Sequence, residues 1–263
     1  MIGGQGKLWA FGDSFTFGSE MEDCVDEFAY SNNTWQALLA KDRDLEYRCI
    51  ARGGVSNDWI ARNVLKYAGQ FNSNDLIIIQ WTYFSRIEFP ILNFRDNGLS
   101  VTNEKGYHWI DFEDHEYFQT TPNLVDNLSV FDQIWSKPKI DNLKKSGALE
   151  FNESFYKKIY TDEYGAMNLL KNLRVVQGEI QFKNYRFSFV SNEILKFNDR
   201  KGVFKNVIDC ANSNNSIWFG TTNEHLGFNE WCTKEKFPRG QYNHPLEQAH
   251  QKAFKYVKEM KYV

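Results

Sequence analysis

The chain has 263 residues, of which 42% are hydrophobic and 25% charged, with a formal net charge of -3. That is the balance of a globular protein long enough to bury a substantial core. A weakly acidic chain gives no electrostatic ground for a nucleic-acid partner, and no stretch approaches the roughly 18 apolar residues of a membrane span.

Residues 7–11 read as a buried strand. So early a strand leaves no room for a signal peptide, so the chain is expected to fold in the cytoplasm, with release by lysis left open. Trp35, Leu38 and Leu39 share one face of a helix over residues 34–41, with capping-type Ser31, Asn32 and Asn33 ahead of it. Residues 45–51 read as a second strand, ending in Arg52-Gly53-Gly54. The next helix starts near Ser56 or Asn57, carries Ile60, Val64 and Tyr67 as its stripe, and stops at Gly69. Residues 75–81 form a continuous aliphatic run, suited to a parallel strand covered on both faces. This β-α-β-α-β order predicts a doubly wound sheet.

From about residue 90 to 150 no period is sustained. Turn signals stand at Asp96-Asn97-Gly98 and Glu104-Lys105-Gly106, and Leu99, Val101 and Trp109 around them suggest a hairpin. The region reads as an insertion over the carboxyl edge of the sheet, within one domain spanning 1–263, and as a place for a lid or binding loop. Beyond it, Leu169, Leu173, Val176 and Ile180 mark a long helix, and residues 186–190 a fourth strand. Val207-Ile208 and Ile217-Trp218-Phe219 are short apolar runs of unsettled type. A closing helix is expected from Pro245, with Leu246, Ala249, Ala253, Phe254 and Val257 as its buried stripe.

Cys24, Cys49, Cys210 and Cys232 form no C-x-x-C pair, and no histidine stands at zinc-ligand spacing from them. They read as reduced, mostly buried thiols, and neither a metal nor a cofactor is expected. A phosphate-cradling glycine loop is absent from the sequence. Aromatic residues reach 16%; most are expected in the core, and a remainder could line a groove that stacks on sugar rings.

The chemistry concentrates in Phe11-Gly12-Asp13-Ser14-Phe15-Thr16-Phe17-Gly18, directly after the first strand. The end of a buried strand gives a hydroxyl a rigid support. Gly12 lets the chain turn there, and the N–H groups that follow can face a developing oxyanion. Taken singly, Gly-Asp-Ser is often only a turn and His-Pro only a helix start. Here three blocks follow in order: Gly12-Asp13-Ser14, then Arg52-Gly53-Gly54-Val55-Ser56-Asn57, then His244-Pro245.

Together these blocks resemble the SGNH (GDSL-type) hydrolase family. The resemblance implies a flavodoxin-like, three-layer α/β/α fold with a central, mostly parallel sheet, and hydrolysis of esters, often acyl groups on carbohydrates or lipids. It implies Ser14 as nucleophile and His244 as general base, with the Ser14 and Gly54 N–H groups holding the oxyanion. Asp13 would brace the nucleophile turn, and Gly54, Thr82, Ser85, Asp13 and Asn57 would make the oxyanion and substrate side of the site.

Two departures from the family pattern stand out. The third block should carry an Asn after the central strand, yet the chain runs Trp81-Thr82-Tyr83-Phe84-Ser85-Arg86-Ile87-Glu88. The expectation is that either Thr82 or Ser85 donates a hydroxyl instead, or that the hole works with two donors. The Arg-x-Glu resembles bacteriophage-encoded members, for which host cytoplasm or virion would be the location; Arg86 and Glu88 read as an ion pair or as a clasp on substrate. The family also places Asp three residues before the histidine, where this chain has the uncharged Gln241. A Ser-His dyad is therefore expected. His108, His115, His225 and His250 read as non-catalytic, although the first two fall in the insertion and could touch substrate.

The expectation is a serine esterase that removes an O-acyl group from a small-molecule or glycan ester through an acyl-enzyme on Ser14. An O-acyltransferase and a non-catalytic binding or phage-particle module remain the alternatives, and the oligomeric state is not legible.

Overall fold

The computed structural model describes residues 5–24, 29–90, 117–120, 122, 147–197, 205, 208–209, 211, 215–221 and 224–260. From the N-terminus, β1 (Lys7–Gly12), the one-turn α1 (Ser14–Phe17), α2 (Trp35–Asp42), β2 (Glu46–Ala51), α3 (Asn57–Tyr67) and β3 (Leu76–Trp81) alternate as expected. β4 (Ile87–Pro90) and β5 (Tyr117–Thr120) pair antiparallel as a separate ribbon. α4 (Ala148–Lys158), α5 (Asp162–Ile180), β6 (Tyr185–Phe189), β7 (Ser216–Ile217), α6 (Phe228–Lys234) and α7 (Glu247–Glu259) follow.

A strand that is apolar on both faces has to be covered twice. β3 is buried at every residue and lies between β1 and β6. β2 extends the sheet beyond β1 and β7 beyond β6, so the order is β2-β1-β3-β6-β7 with every pairing parallel. Alternate side chains then divide the core. Trp9, Phe11, Ile77 and Ile79 face the apolar stripes of α3 and α5, among them Ile60, Val64, Leu169 and Leu173. Leu8, Ala10, Leu76 and Ile78 face α2, α6 and α7 through Trp35, Leu39, Trp231 and Ala253. The result is the expected three-layer α/β/α fold with the flavodoxin-like strand order. In that order ligands sit outside the carboxyl ends of the strands, where the chain's path switches sides between β1 and β3.

Local chemistry explains where the elements begin and end, and it corrects four boundaries. α2 is capped by Thr34, whose hydroxyl accepts from Ala37 N–H, and not by residues 31–33. Gly69 lies inside a 3₁₀ turn, Ala68–Gln70, that continues α3. The closing helix starts at Glu247; Pro245 stands ahead of it, bridged to Arg239. α4 begins at Ala148, inside the span assigned to the insertion. Of the unsettled runs, Ile217 lies in β7 and Ile208 is buried. The hairpin expected around Leu99, Val101 and Trp109 lies outside the described residues. Among those described, no helix is long and apolar enough to cross a membrane.

The start of the sheet is fixed by Asp75, a buried carboxylate just before β3. It accepts from Lys7 N–H at 2.8 Å, from the Trp9 indole at 2.9 Å and from Asn72 N–H at 3.0 Å. Asp75→Ala strands these donors where water cannot replace the lost acceptor. The expected loss, read from urea unfolding, is about 2–4 kcal/mol; a loss below about 0.5 kcal/mol would mean the carboxylate is not holding β1 to β3.

Candidate active site

β1 delivers the chain to the switch point, and Gly12 turns it. A Cβ on Gly12 would lie 2.1 Å from Thr16 Oγ1, so only glycine lets the next turn fold back so closely. Asp13 caps α1: its Oδ1 accepts from Phe15 N–H at 3.1 Å, and its carbonyl accepts from Thr16 and Phe17. Ser14 is thus the first residue of α1, only 4% exposed, and its own carbonyl accepts from both Gly18 and Ser19. Gly18 closes the turn in the left-handed region, at φ 79°.

The other oxygen of Asp13 ties this turn to the end of β3. Thr82 Oγ1 donates to Asp13 Oδ2 at 2.6 Å, and Arg86 Nη1 donates both to Asp13 Oδ2 at 2.8 Å and to Thr82 Oγ1 at 2.7 Å. Asn57, at the start of α3, accepts from Thr82 N–H and donates to the carbonyls of Thr82 and Tyr83. Asp13, Asn57 and Thr82 therefore meet beside Ser14, but as its support. The Thr82 hydroxyl donates to Asp13, and the Asn57 amide bonds Thr82 and Tyr83 just past β3, which turns Thr82 away from the oxyanion role that is one of the options. Ser85 lies in the turn that follows, its carbonyl taken by the Tyr156 hydroxyl. Arg86 and Glu88 do not pair with each other: Arg86 goes to Asp13, and Glu88 to Arg62.

His244 comes from the loop between α6 and α7. Its Nδ1 lies 2.7 Å from Glu20 Oε2, and its N–H donates to the same oxygen at 3.2 Å. Tyr242 N–H donates to Glu20 Oε1 at 2.7 Å. The loop is also pinned from behind, because Arg239 bonds the Asn243 carbonyl together with Asn229 and Thr233 of α6. The imidazole stands edge-on to Phe15, the residue after Ser14, with ring centroids 5.6 Å apart. Gly53 lies against Ser14, since a Cβ there would be 3.9 Å from Ser14 Cβ, and Gly54 takes φ 76°. Among the described residues, Ser14 Oγ and His244 Nε2 make no hydrogen bond, and the N–H groups of Ser14 and Gly54 have no other partner.

Glu20 was not legible in the sequence, and it corrects the expected dyad: the imidazole does have a carboxylate, while Gln241 is exposed. Burial alone would raise the Glu20 pKa. The bonds from the His244 ring and from the Tyr242 and His244 N–H groups outweigh that and hold it below the ordinary carboxylate value. Its contribution to stability is therefore complete at neutral pH and is lost as pH falls through that lowered value.

His250 is buried in α7 and accepts Trp35 N–H at the start of α2 through Nδ1. Burial pushes its pKa from 6.5 to about 3. Cys24 and Cys49 are partly buried and Cys232 is buried, each as a reduced thiol, with Cys49 pushed up to about 12 by burial. His225 stands edge-on to Trp218. His108, His115 and Cys210 lie outside the described residues. No group of three or more metal-ligating side chains occurs among those described.

Neither the protein-family models nor the curated protein sequences contain a match to this chain. Several solved structures follow a similar path. A member of the lipolytic G-D-S-L family from Veillonella parvula is 11% identical, with 96% of each chain covered and a TM-score of 0.44. The lipase Lip_vut3 from a goat rumen metagenome is 11% identical, with 98% of each chain covered and a TM-score of 0.45. The acetyl xylan esterase Est2A from Butyrivibrio proteoclasticus is 13% identical over 98% of this chain and 65% of that one, at a TM-score of 0.40.

His250 gives this region a pH signature. As pH falls below about 6.5 the unfolded chain takes up a proton that the folded chain refuses, so stability drains by up to about 1.4 kcal/mol per pH unit. His250→Gln keeps an acceptor for Trp35 and removes the titration. Between pH 7 and 5 the variant should lose about 2 kcal/mol less unfolding free energy in urea than the parent. Equal losses would show that His250 is not held neutral.

Proposed function

We propose that the chain is a serine hydrolase that deacylates an ester, with an O-acyl group on a carbohydrate as its substrate class. The observation that carries this reading is the placement of Ser14 at the switch point of the sheet, beside an imidazole whose Nδ1 is held by a carboxylate. With Nδ1–H donated to Glu20, Nε2 keeps its lone pair for the Ser14 proton. Ser14 Oγ then attacks the acyl carbonyl, and the oxyanion collects the Ser14 and Gly54 N–H groups. His244 returns the proton to the departing sugar oxygen, which leaves the acyl group on Ser14. Water, deprotonated by the same nitrogen, releases the acid and restores the serine. Among the described residues Ser14 and His244 share no direct hydrogen bond, and catalytic hydrogen bonds often tighten only around substrate.

The carbohydrate part of the reading draws on the aromatic residues of α4, which reaches the turn after β3. Tyr156 reaches the turn after β3 through Ser85, and its helix α4 carries the half-exposed Phe151. Flat ring faces of this kind suit stacking on a pyranose.

Hydrolysis of p-nitrophenyl acetate by the full chain tests the reading. Ser14→Ala and His244→Ala should each lower kcat at least about 10³-fold. Equal rates in all three proteins would overturn it.

A further inference from the structure

We infer that Glu20 is the positioning residue for His244: a carboxylate on the nucleophile's own loop does the work that the residue three before the histidine would otherwise do. The inference rests on the hydrolase reading above and specifies its machinery.

Three donors converge on this one carboxylate, the His244 ring, the His244 N–H and the Tyr242 N–H. A surface ion pair would need only the first. The two backbone bonds fix the loop as well as the ring, so the carboxylate sets both where the imidazole stands and how it is turned. A carboxylate at Nδ1 also selects the tautomer with its proton there, and it faces the positive charge that the ring acquires when Nε2 takes the serine proton.

The loop is shaped to admit the side chain. A Cβ on Gly240 would lie 2.6 Å from Glu20 Cδ and Oε1 and 2.8 Å from Glu20 Cβ. Gly240 does not use a left-handed φ, so what glycine supplies here is space. The backbone is bent to the same end on both sides. Glu20 sits at φ 69° and Asn243 at φ 68°, a region that residues with a Cβ seldom adopt and that tends to persist where its surroundings enforce it.

Glu20 and Ser14 are also tied together by the backbone bonds of one short segment. The Ser14 carbonyl holds Gly18 and Ser19, Met21 N–H returns to the Gly18 carbonyl, and Glu22 N–H donates to Glu247 at the start of α7. The register between nucleophile and base is therefore set within one turn of chain, onto which the His244 loop docks. Among the described residues, the titratable groups around the pair include Glu22, Asp23, Arg239, Tyr242, Glu247 and His250, and burial keeps His250 neutral.

The test uses the full chain carrying Glu20→Gln, Glu20→Asp or Gly240→Ala, assayed on p-nitrophenyl acetate from about pH 5 to 9, with thermal unfolding as the check on folding. Glu20→Gln should lower kcat by about 10²–10⁴-fold with little change in KM. Its rate profile against pH should change shape as well, because the ring no longer faces a carboxylate. Glu20→Asp should recover part of both effects. Gly240→Ala, which removes no titratable group but fills the carboxylate's space, should reproduce both and remains readable if the amide variant fails to fold. If activity depends on Ser14 and His244 yet Glu20→Gln leaves kcat and the profile unchanged, Glu20 is structural only and this inference falls alone. If the parent shows no Ser14-dependent activity, the hydrolase reading falls and takes this one with it.

Discussion

The carboxyl edge of the sheet hangs from the carboxylate of Asp13, which is fully buried. One oxygen starts α1 by accepting Phe15 N–H, and the other takes the Thr82 hydroxyl and the Arg86 guanidinium, fastening the turn to the end of β3. From there the dependence runs outward. α1 ends at Gly18, the chain bends back to Glu20, and Glu20 receives the loop that carries His244. An uncompensated charge at position 13 would cost several kcal/mol, and a guanidinium with two neutral donors removes most of that cost.

The two carboxylates of this turn serve different ends, and the magnitudes separate them. Asp13 with Arg86 joins a fully buried carboxylate to a partly buried guanidinium, and the net gain of such a pair over a well-packed apolar substitute is small or negative. What such a pair adds is a single arrangement of strand end, helix start and neighbouring turn. Glu20 with His244 is partly exposed, with side-chain exposures of 15% and 20%. Solvent screens it, and its contribution to stability is on the order of 1 kcal/mol or less. On the proposed reading, orientation of the ring is the larger consequence, because a general-base imidazole in the wrong tautomer loses rate by orders of magnitude.

The legible parts of the sequence were those governed by local period. β1, β2 and β3 and the stripes of α3 and α5 announce themselves because each buried face repeats at the spacing of its own element. α6 did not, since a seven-residue helix burying Phe228, Trp231 and Cys232 shows hardly two turns of pattern. Pro245 misled for a related reason: its suitability for a first helical turn is real, but the bridge to Arg239 uses it one step earlier. In the site, position was easier to read than role. Thr82 and Asn57 do come to the end of β3 beside Asp13, yet each is consumed by the framework. Glu20 was invisible because its partner lies 224 residues away and no periodicity links them. Gly240 carried a signal in retrospect, as a glycine in a polar loop whose backbone angles do not require one.

The central claim is that Ser14 is an activated nucleophile and not a buried turn serine. Its most direct test is mass spectrometry of the full chain after treatment with a fluorophosphonate, which bonds covalently to serines activated by a neighbouring base. The account predicts a single adduct, mapped to the peptide that contains Ser14, abolished in Ser14→Ala and strongly slowed in His244→Ala. An unmodified chain, or an adduct elsewhere that both variants leave untouched, would contradict it.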